Sequence, residues 1–426
     1  ALGEAARARH RADRRPRAAA AAAGAVMGGP ARDSRAVVGV LCLAEALVLI
    51  GTFTFPALLP DLAPRWLLSA TDAGWVSGLF FGGYTLAVPG LMMLTDRLDA
   101  KRVFVAGALF SAVAHALFAL IADGFWTAAL LRTLAGVGLA GVYMPGVKAL
   151  ADRVGWPTQG RAVAFYTSTF SLGTAASFAA TGWASALGGA LTAFWVAAVA
   201  SLAAAVLVGF GLKPHIPERA ATPGFDIRPV LRNRQAMGFV LGYGVHAWEL
   251  FGLRSWAVAF LVFAQTLAPG GPALMQPTTV AAIAGLIAMA SSIAGQEAST
   301  RFGRARVASI AMLVGAAIAV PAAFTATLGY GWAIAAVLVW TAVIQTDSAV
   351  LTAGTVASAE DGRRGATLAV HTSVGFTGAM LAPLVMGIAL DGAVDPLAGW
   401  IWAFASLALV SLLGPLALRW ANRPTV

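Results

Sequence analysis

Apolar residues fill this chain in blocks of twenty or more, separated by short polar stretches, without the alternation of a half-buried strand. About 20 apolar residues, rising about 1.5 Å each, cross the roughly 30 Å of a bilayer's hydrocarbon core. Twelve segments reach that length: 36–60, 70–94, 102–122, 125–148, 162–186, 189–212, 236–264, 277–298, 305–327, 331–356, 365–390 and 397–418. The pattern predicts twelve transmembrane helices, here called spans 1 to 12, and so an all-α integral membrane protein. The longest interval between spans, 213–235, divides six from six.

Composition agrees with that reading. Hydrophobic residues make up 59% and charged residues 11%, against about 45–50% and about 25% in water-soluble domains. A single cysteine, Cys42, leaves no intramolecular disulfide to form and no Cys-rich metal site to build. Neither metal nor cofactor is expected.

The formal charge of +10 would suggest nucleic acid if its sources were clustered. They follow the loops instead. With the amino terminus inside, 26 of the 29 Lys and Arg fall in the tails and the loops on that side, and the opposite loops hold only Arg65. Arg132 and Arg254 lie within spans, while Asp61, Asp72, Asp123, Asp391 and Asp395 lie at the opposite side. The positive-inside rule therefore predicts two cytoplasmic termini in a bacterial cytoplasmic (inner) membrane, and no nucleic-acid partner. Residues 1–35, Ala- and Arg-rich with no apolar core before an alanine run, read as a disordered basic tail rather than a cleaved signal. The expected organisation is 1–35 tail, 36–212 amino-terminal bundle, 213–235 cytoplasmic linker, 236–420 carboxy-terminal bundle and 421–426 tail.

Landmarks recur about 200 residues apart, as a duplicated transporter fold requires. Asp96-Arg97-Leu98-Asp99-Ala100-Lys101-Arg102 after span 2 returns after span 8 as Thr300-Arg301-Phe302-Gly303-Arg304-Ala305-Arg306. Arg161 and Gly173 are spaced like Arg363 and Gly375, and Trp195 with Ser201-Leu202 matches Trp400 with Ser406-Leu407. Twelve spans, a six-plus-six repeat, a long central loop and a basic loop after span 2 resemble the major facilitator superfamily. Its loop pattern is Gly-x-Leu-Ala-Asp-Arg-x-Gly-Arg-Lys, of which this chain supplies Leu94, Asp96, Arg97, Lys101 and Arg102. Met92 and Asp99 stand at its glycines, and in the second copy Thr300 replaces the acid. Arg132 with Gly136 meets a second pattern of the family, in span 4. The resemblance implies two pseudo-symmetric six-helix bundles, a gating role for Asp96, Arg97, Lys101, Arg102, Arg301 and Arg304, and a monomer.

A charge at mid-bilayer costs at least about 2.5–3.5 kcal/mol, so ionisable groups within spans are functional candidates. Eight qualify: Glu45, His115, Arg132, His246, Glu249, Arg254, Asp347 and His371. Six of them lie on spans 1, 4, 7 and 10, which line the central cavity in the family. Arg132 and Arg254 keep their charge and can grip an anionic group with paired donors. His246, Glu249 and neighbouring Trp248 on span 7 complete the expected substrate site. Glu45, Glu249 and Asp347 are the expected proton-coupling acids. Each has a plainer reading beside it: Arg132 holding helix carbonyls, Glu249 and Arg254 forming an internal ion pair, and the aromatics merely packing.

Gly136-Val137-Gly138-Leu139-Ala140-Gly141 fits a dinucleotide-loop pattern but sits inside a span, so close helix packing explains it. No loop is large enough for a catalytic domain, and no Ser-His-Asp or metal-ligand grouping is present, so no enzyme is expected. Trp248-Glu249-Leu250-Phe251-Gly252 loosely resembles nitrate/nitrite or cyanate porters, but the arginines that nitrate porters carry on spans 2 and 8 are missing. The expectation is a secondary active transporter of a small organic or inorganic anion, working by alternating access and coupled to H+. The alternative is proton-driven export of a cationic or amphipathic compound.

Overall fold

The computed structural model describes residues 31–155, 158–216, 227–267, 275–360 and 362–421. Helices occupy all twelve predicted intervals, and ten of them are long and apolar enough to cross a membrane. The other two differ for visible reasons. Span 1 runs as Ala31–Leu49, Thr54–Ala57 and Leu59–Arg65, broken at residues 50–53, and its first helix carries Arg32, Asp33, Arg35 and Glu45. Span 5 is one helix, Gln159–Gly188, whose Ser, Thr and Gly content dilutes its hydropathy. Span 1 also begins at Ala31, ahead of the expected 36. The expected disordered tail otherwise falls on 1–30, outside the described residues, as do 217–226 of the linker and 422–426 of the last tail.

Local chemistry sets the remaining boundaries. Ser69 and Asp72 form a capping box at the start of span 2 (Ala70–Thr95), and Asp395 caps span 12 (Pro396–Ser411 and Leu413–Ala421) by accepting from the Ala398 N–H. Pro277 and Pro396 sit at first helical positions, where their missing N–H is no loss. Spans 8 (Pro277–Phe302) and 9 (Arg304–Leu328) are joined by Gly303 alone, at φ +85°, and spans 9 and 10 by Gly329 alone, at φ +124°. A one-residue link must reverse the chain in a backbone region that a side chain disfavours.

Span 3 (Ala100–Ile121) and span 4 (Phe125–Ala151) meet at Gly107 against Gly141, while Gly136 of span 4 presses on the Phe80 carbonyl of span 2. Gly136 and Gly141 belong to the dinucleotide-like pattern, here serving close helix approach. Span 6 (Ala190–Gly211) completes the first bundle. The second holds span 7 (Arg234–Leu267), span 10 as Tyr330–Gln345 and Ser348–Ala357, and span 11 (Arg364–Asp391) with spans 8, 9 and 12.

The bundles meet chiefly on the face away from the termini. Gly74 and Gly78 of span 2 lie against the backbone of Pro383 and Met380 in span 11, and Gly82 against the Met380 sulfur. Gly387 packs on Ala70, Gly182 of span 5 on Thr278, and Gly285 of span 8 on Ala175. The Asp391 carboxylate, at the end of span 11, accepts from the Ala70 N–H at 2.9 Å and the Thr71 N–H at 2.7 Å. It thus caps span 2 from the other bundle, where exposed helix amides and the helix dipole favour an anion.

Candidate functional site

Arg132 is fully buried, and its donors are largely committed. Its guanidinium donates to the Gly51 carbonyl at 2.9 Å and the Thr52 carbonyl at 2.6 Å, and lies 4.2 Å above the Phe80 ring. Those carbonyls are freed by the break in span 1. Ser177 of span 5 stitches the same break, donating to the Ile50 carbonyl and accepting from the Phe53 N–H. His115 packs against Gly51. In lipid such a break persists only when side chains replace the lost backbone partners.

Glu249 is held within the second bundle. It accepts from Trp340 Nε1 at 2.8 Å and from the Ser411 hydroxyl at 2.6 Å, and its carboxyl rests on Gly315 of span 9. It makes no pair with Arg254. The Trp248 indole N–H, one residue earlier, has no hydrogen-bond partner.

His246 and Asp347 come together: Nδ1 and Oδ1 approach to 2.6 Å, off the line of a hydrogen bond, with both side chains buried. Asp347 stands where span 10 breaks, as the cap residue of its second helix. Tyr243, which the sequence reading passed over, lies between two histidines, its ring centroid 5.6 Å from His246 and 3.8 Å from His371. His371 in turn contacts the Thr355 hydroxyl at 3.0 Å and the Thr352 hydroxyl at 3.3 Å. Tyr243 is one turn before His246, on the same helix face, and that i, i+3 spacing was the available signal.

Arg254 faces the other bundle. Its Cζ is 6.0 Å from the Phe53 ring centroid and 5.9 Å from that of Phe251, and it donates from Nη2 to the side-chain Oε1 of Gln345 at a long 3.4 Å. Beside it, Thr174, Phe178 and Thr341 border a cavity of about 10 Å³, room for roughly one water. A larger cavity, about 480 Å³, lies outside the bundle interface, between Phe302, Arg306, Ile310, Val314 and Thr346 on spans 8 to 10. Its apolar wall and its position on the outer surface of one bundle separate it from the buried charges.

Glu45 is fully buried, and neither carboxyl oxygen has a partner. Tyr143 and Tyr166 lie within its electrostatic reach, as does Tyr84, whose hydroxyl is also unpartnered.

At the termini face, Asp96, Arg97, Arg102, Arg301 and Arg304 are exposed, and Lys101 Nζ donates to the Leu212 carbonyl. The acid that organises this loop is Asp99. It caps span 3, accepts from Arg153 Nη2 at 2.7 and 2.9 Å, and accepts from the His215 N–H at 2.8 Å. Its place just before an apolar helix was an N-cap signal. Burial pushes the Asp99 carboxyl up, but Arg153 and the backbone donors outweigh it and hold the group below its ordinary value. A lowered carboxylate adds stability above its unfolded value, about 4, that is lost as the pH falls through the lowered one. In a thermal-shift titration, wild type is therefore expected to lose its advantage over Asp99→Asn as the pH drops from about 5 toward about 3; an unchanged difference across that range would contradict the assignment.

The family model of the Major Facilitator Superfamily matches residues 41–383. No curated protein matches the chain. Among solved structures, it is similar to a bacterial homologue of the human lysosomal transporter Spinster in an inward-facing, occupied conformation, with TM-score 0.71 and 15% identity over 92% of this chain and 96% of that one. The same homologue, inward-facing and unoccupied, gives TM-score 0.72 at 14% identity with the same coverage. Buried charges between two helical bundles, and a match across four fifths of the sequence, settle the assignment: the chain belongs to the Major Facilitator Superfamily and is a multi-pass membrane transporter of a small solute, not an enzyme.

Proposed function

We propose that this transporter moves a small anion by alternating access, coupled to protons, with the termini on the cytoplasmic side as the loop charges predict. Closure on the opposite face then makes the present state inward-facing. Arg254 carries this reading. An always-charged guanidinium buried without a carboxylate partner is costly, and among the described residues Arg254 has a long contact to Gln345 and two distant ring faces, Phe53 and Phe251, to offset that cost, but no acid. Arg132 differs because backbone carbonyls occupy it. An anion arriving between the bundles would supply the missing countercharge, and Phe53 and Phe251 would exclude competing water.

The proton role falls to His246 and Asp347. A basic and an acidic group in contact at a broken helix can share a proton, and a shift of either bundle changes which of them water reaches. Proteoliposomes with a trapped pH dye test both assignments against a panel of organic and inorganic anions. The expected result is an anion-driven pH change, reduced about 10- to 150-fold by Arg254→Gln, as for loss of a bond to a charged group. Asp347→Asn should retain anion binding while abolishing the pH change. Parental rates in Arg254→Gln would overturn the anion reading.

A further inference from the structure

Glu45, Glu249 and Asp347 are acids buried inside the spans or at their breaks, and with Asp391 at the far end they are not equally served. Asp347 has His246, Glu249 has Trp340 and Ser411, and Asp391 has two backbone amides. Glu45 has both oxygens unpartnered at zero exposure, and the fully buried Tyr84, within its electrostatic reach, has an unpartnered hydroxyl. Tyr84, Tyr143 and Tyr166 lie within electrostatic reach of Glu45, and Tyr143 stacks near Tyr166 at 6.1 Å and meets Phe170 edge-on at 5.6 Å. A carboxylate among aromatic rings is the equipment that recognises an ammonium group.

Glu45 and Arg254 mirror one another: an acid without a donor on the first bundle, and a cation without an acid on the second. Glu45 lies in the first helix of span 1, and Phe53, beside Arg254, lies in the break that ends it. A run of aromatic rings leads from Tyr84, within electrostatic reach of Glu45, toward Arg254. Tyr84 lies 4.2 Å from Phe376, Phe376 lies 5.8 Å from Phe251, and Phe251 flanks Arg254. We propose that the transported solute is an extended zwitterion, with its anionic end on Arg254, its ammonium end on Glu45, and an apolar middle against Phe251 and Phe376. This rests on the anion reading of Arg254 and adds the second charge. A solute that bridges the bundles also ties its occupancy to their closure, whereas one with adjacent charges cannot reach both.

Matched probes separate the two charges: 8-aminooctanoate, octanoate, octylamine and the short zwitterion β-alanine, titrated against the purified full chain with thermal stabilisation as readout. In wild type, 8-aminooctanoate should half-saturate at least about tenfold below octanoate, octylamine and β-alanine, the gain of one bond to a charged group. Glu45→Gln should bring 8-aminooctanoate down to the level of octanoate, and Arg254→Gln to that of octylamine. Glu45→Asp should keep most of the preference, which distinguishes loss of charge from loss of fold. If Glu45→Gln leaves the ratio of 8-aminooctanoate to octanoate unchanged, or β-alanine binds as well as 8-aminooctanoate, the zwitterion proposal falls. Octanoate binding that still requires Arg254 would then preserve the anion reading, whereas octanoate binding indifferent to Arg254→Gln would remove that reading too.

Discussion

Arg132→Met is expected to cost roughly 3–6 kcal/mol of stability, more than any substitution at the other buried charges. Two hydrogen bonds from a charged group are lost, each worth about 1.5–3 kcal/mol. The Gly51 and Thr52 carbonyls would be left without donors in a region that offers no water. Met is unbranched like Arg over its inner carbons and can still pack on Phe80, so the loss reports the polar role alone. Lys supplies a charge but not the flat, forked donor set that spans two successive carbonyls, so Arg132→Lys should recover part of the deficit. Size-exclusion chromatography of the detergent-solubilised protein after heating measures this directly. Wild-type stability in Arg132→Met would show that the break in span 1 is held by Ser177 and Thr54 without the arginine.

The second large effect is conformational. Asp391→Ala removes both acceptors from the start of span 2 and opens the face away from the termini, while leaving each bundle intact. Losing about 2–3 kcal/mol of charge-assisted bonding shifts the equilibrium between closed and open forms by about 30- to 150-fold. Because Cys42 is the single cysteine, one substitution gives a cysteine-free background in which a Gly78→Cys probe, buried against Met380, reports opening by its rate of thiol labelling. A new side chain at Gly78 itself loosens the contact, so the comparison is between that probe alone and the same probe combined with Asp391→Ala. Equal labelling rates would show that Asp391 contributes nothing to closure.

The twelve spans were legible because the bilayer imposes one length and one polarity on every crossing, and residues 70–94 and 365–390 were met within one residue at each end. The breaks were less so. Pro56 and Pro60 mark the lower part of span 1, but the break at 50–53 depends on Arg132 and Ser177, which lie far along the chain on spans 4 and 5. Span 10 breaks at Thr346 and Asp347 with no proline or glycine between its helices. Inside the site, the sequence could rank charged residues by depth but not by partner. It placed Glu249 and Arg132 with Arg254 and His246 because all four are buried charges on cavity-lining spans. The structure sends Glu249 to Trp340 and Ser411, and Arg132 to backbone, since a helix places residues three apart on nearby but not identical bearings. Asp99 was hidden by comparison with a loop pattern in which its position is a glycine.

The glycine seam between spans 2 and 11 has a mechanical meaning. Gly74, Gly78 and Gly82 present no knobs, and the one side chain inserted among them, Met380, is unbranched and flexible. Over this stretch the surfaces can slide or part without unthreading interlocked side chains, until Phe81 and Tyr84 meet Phe376 farther along. At the other end of the stretch, Asp391 grips the amides of Ala70 and Thr71. The glycine stretch works as a smooth bearing with a catch at Asp391, and a solute need only tip the balance at that catch for the stretch to part.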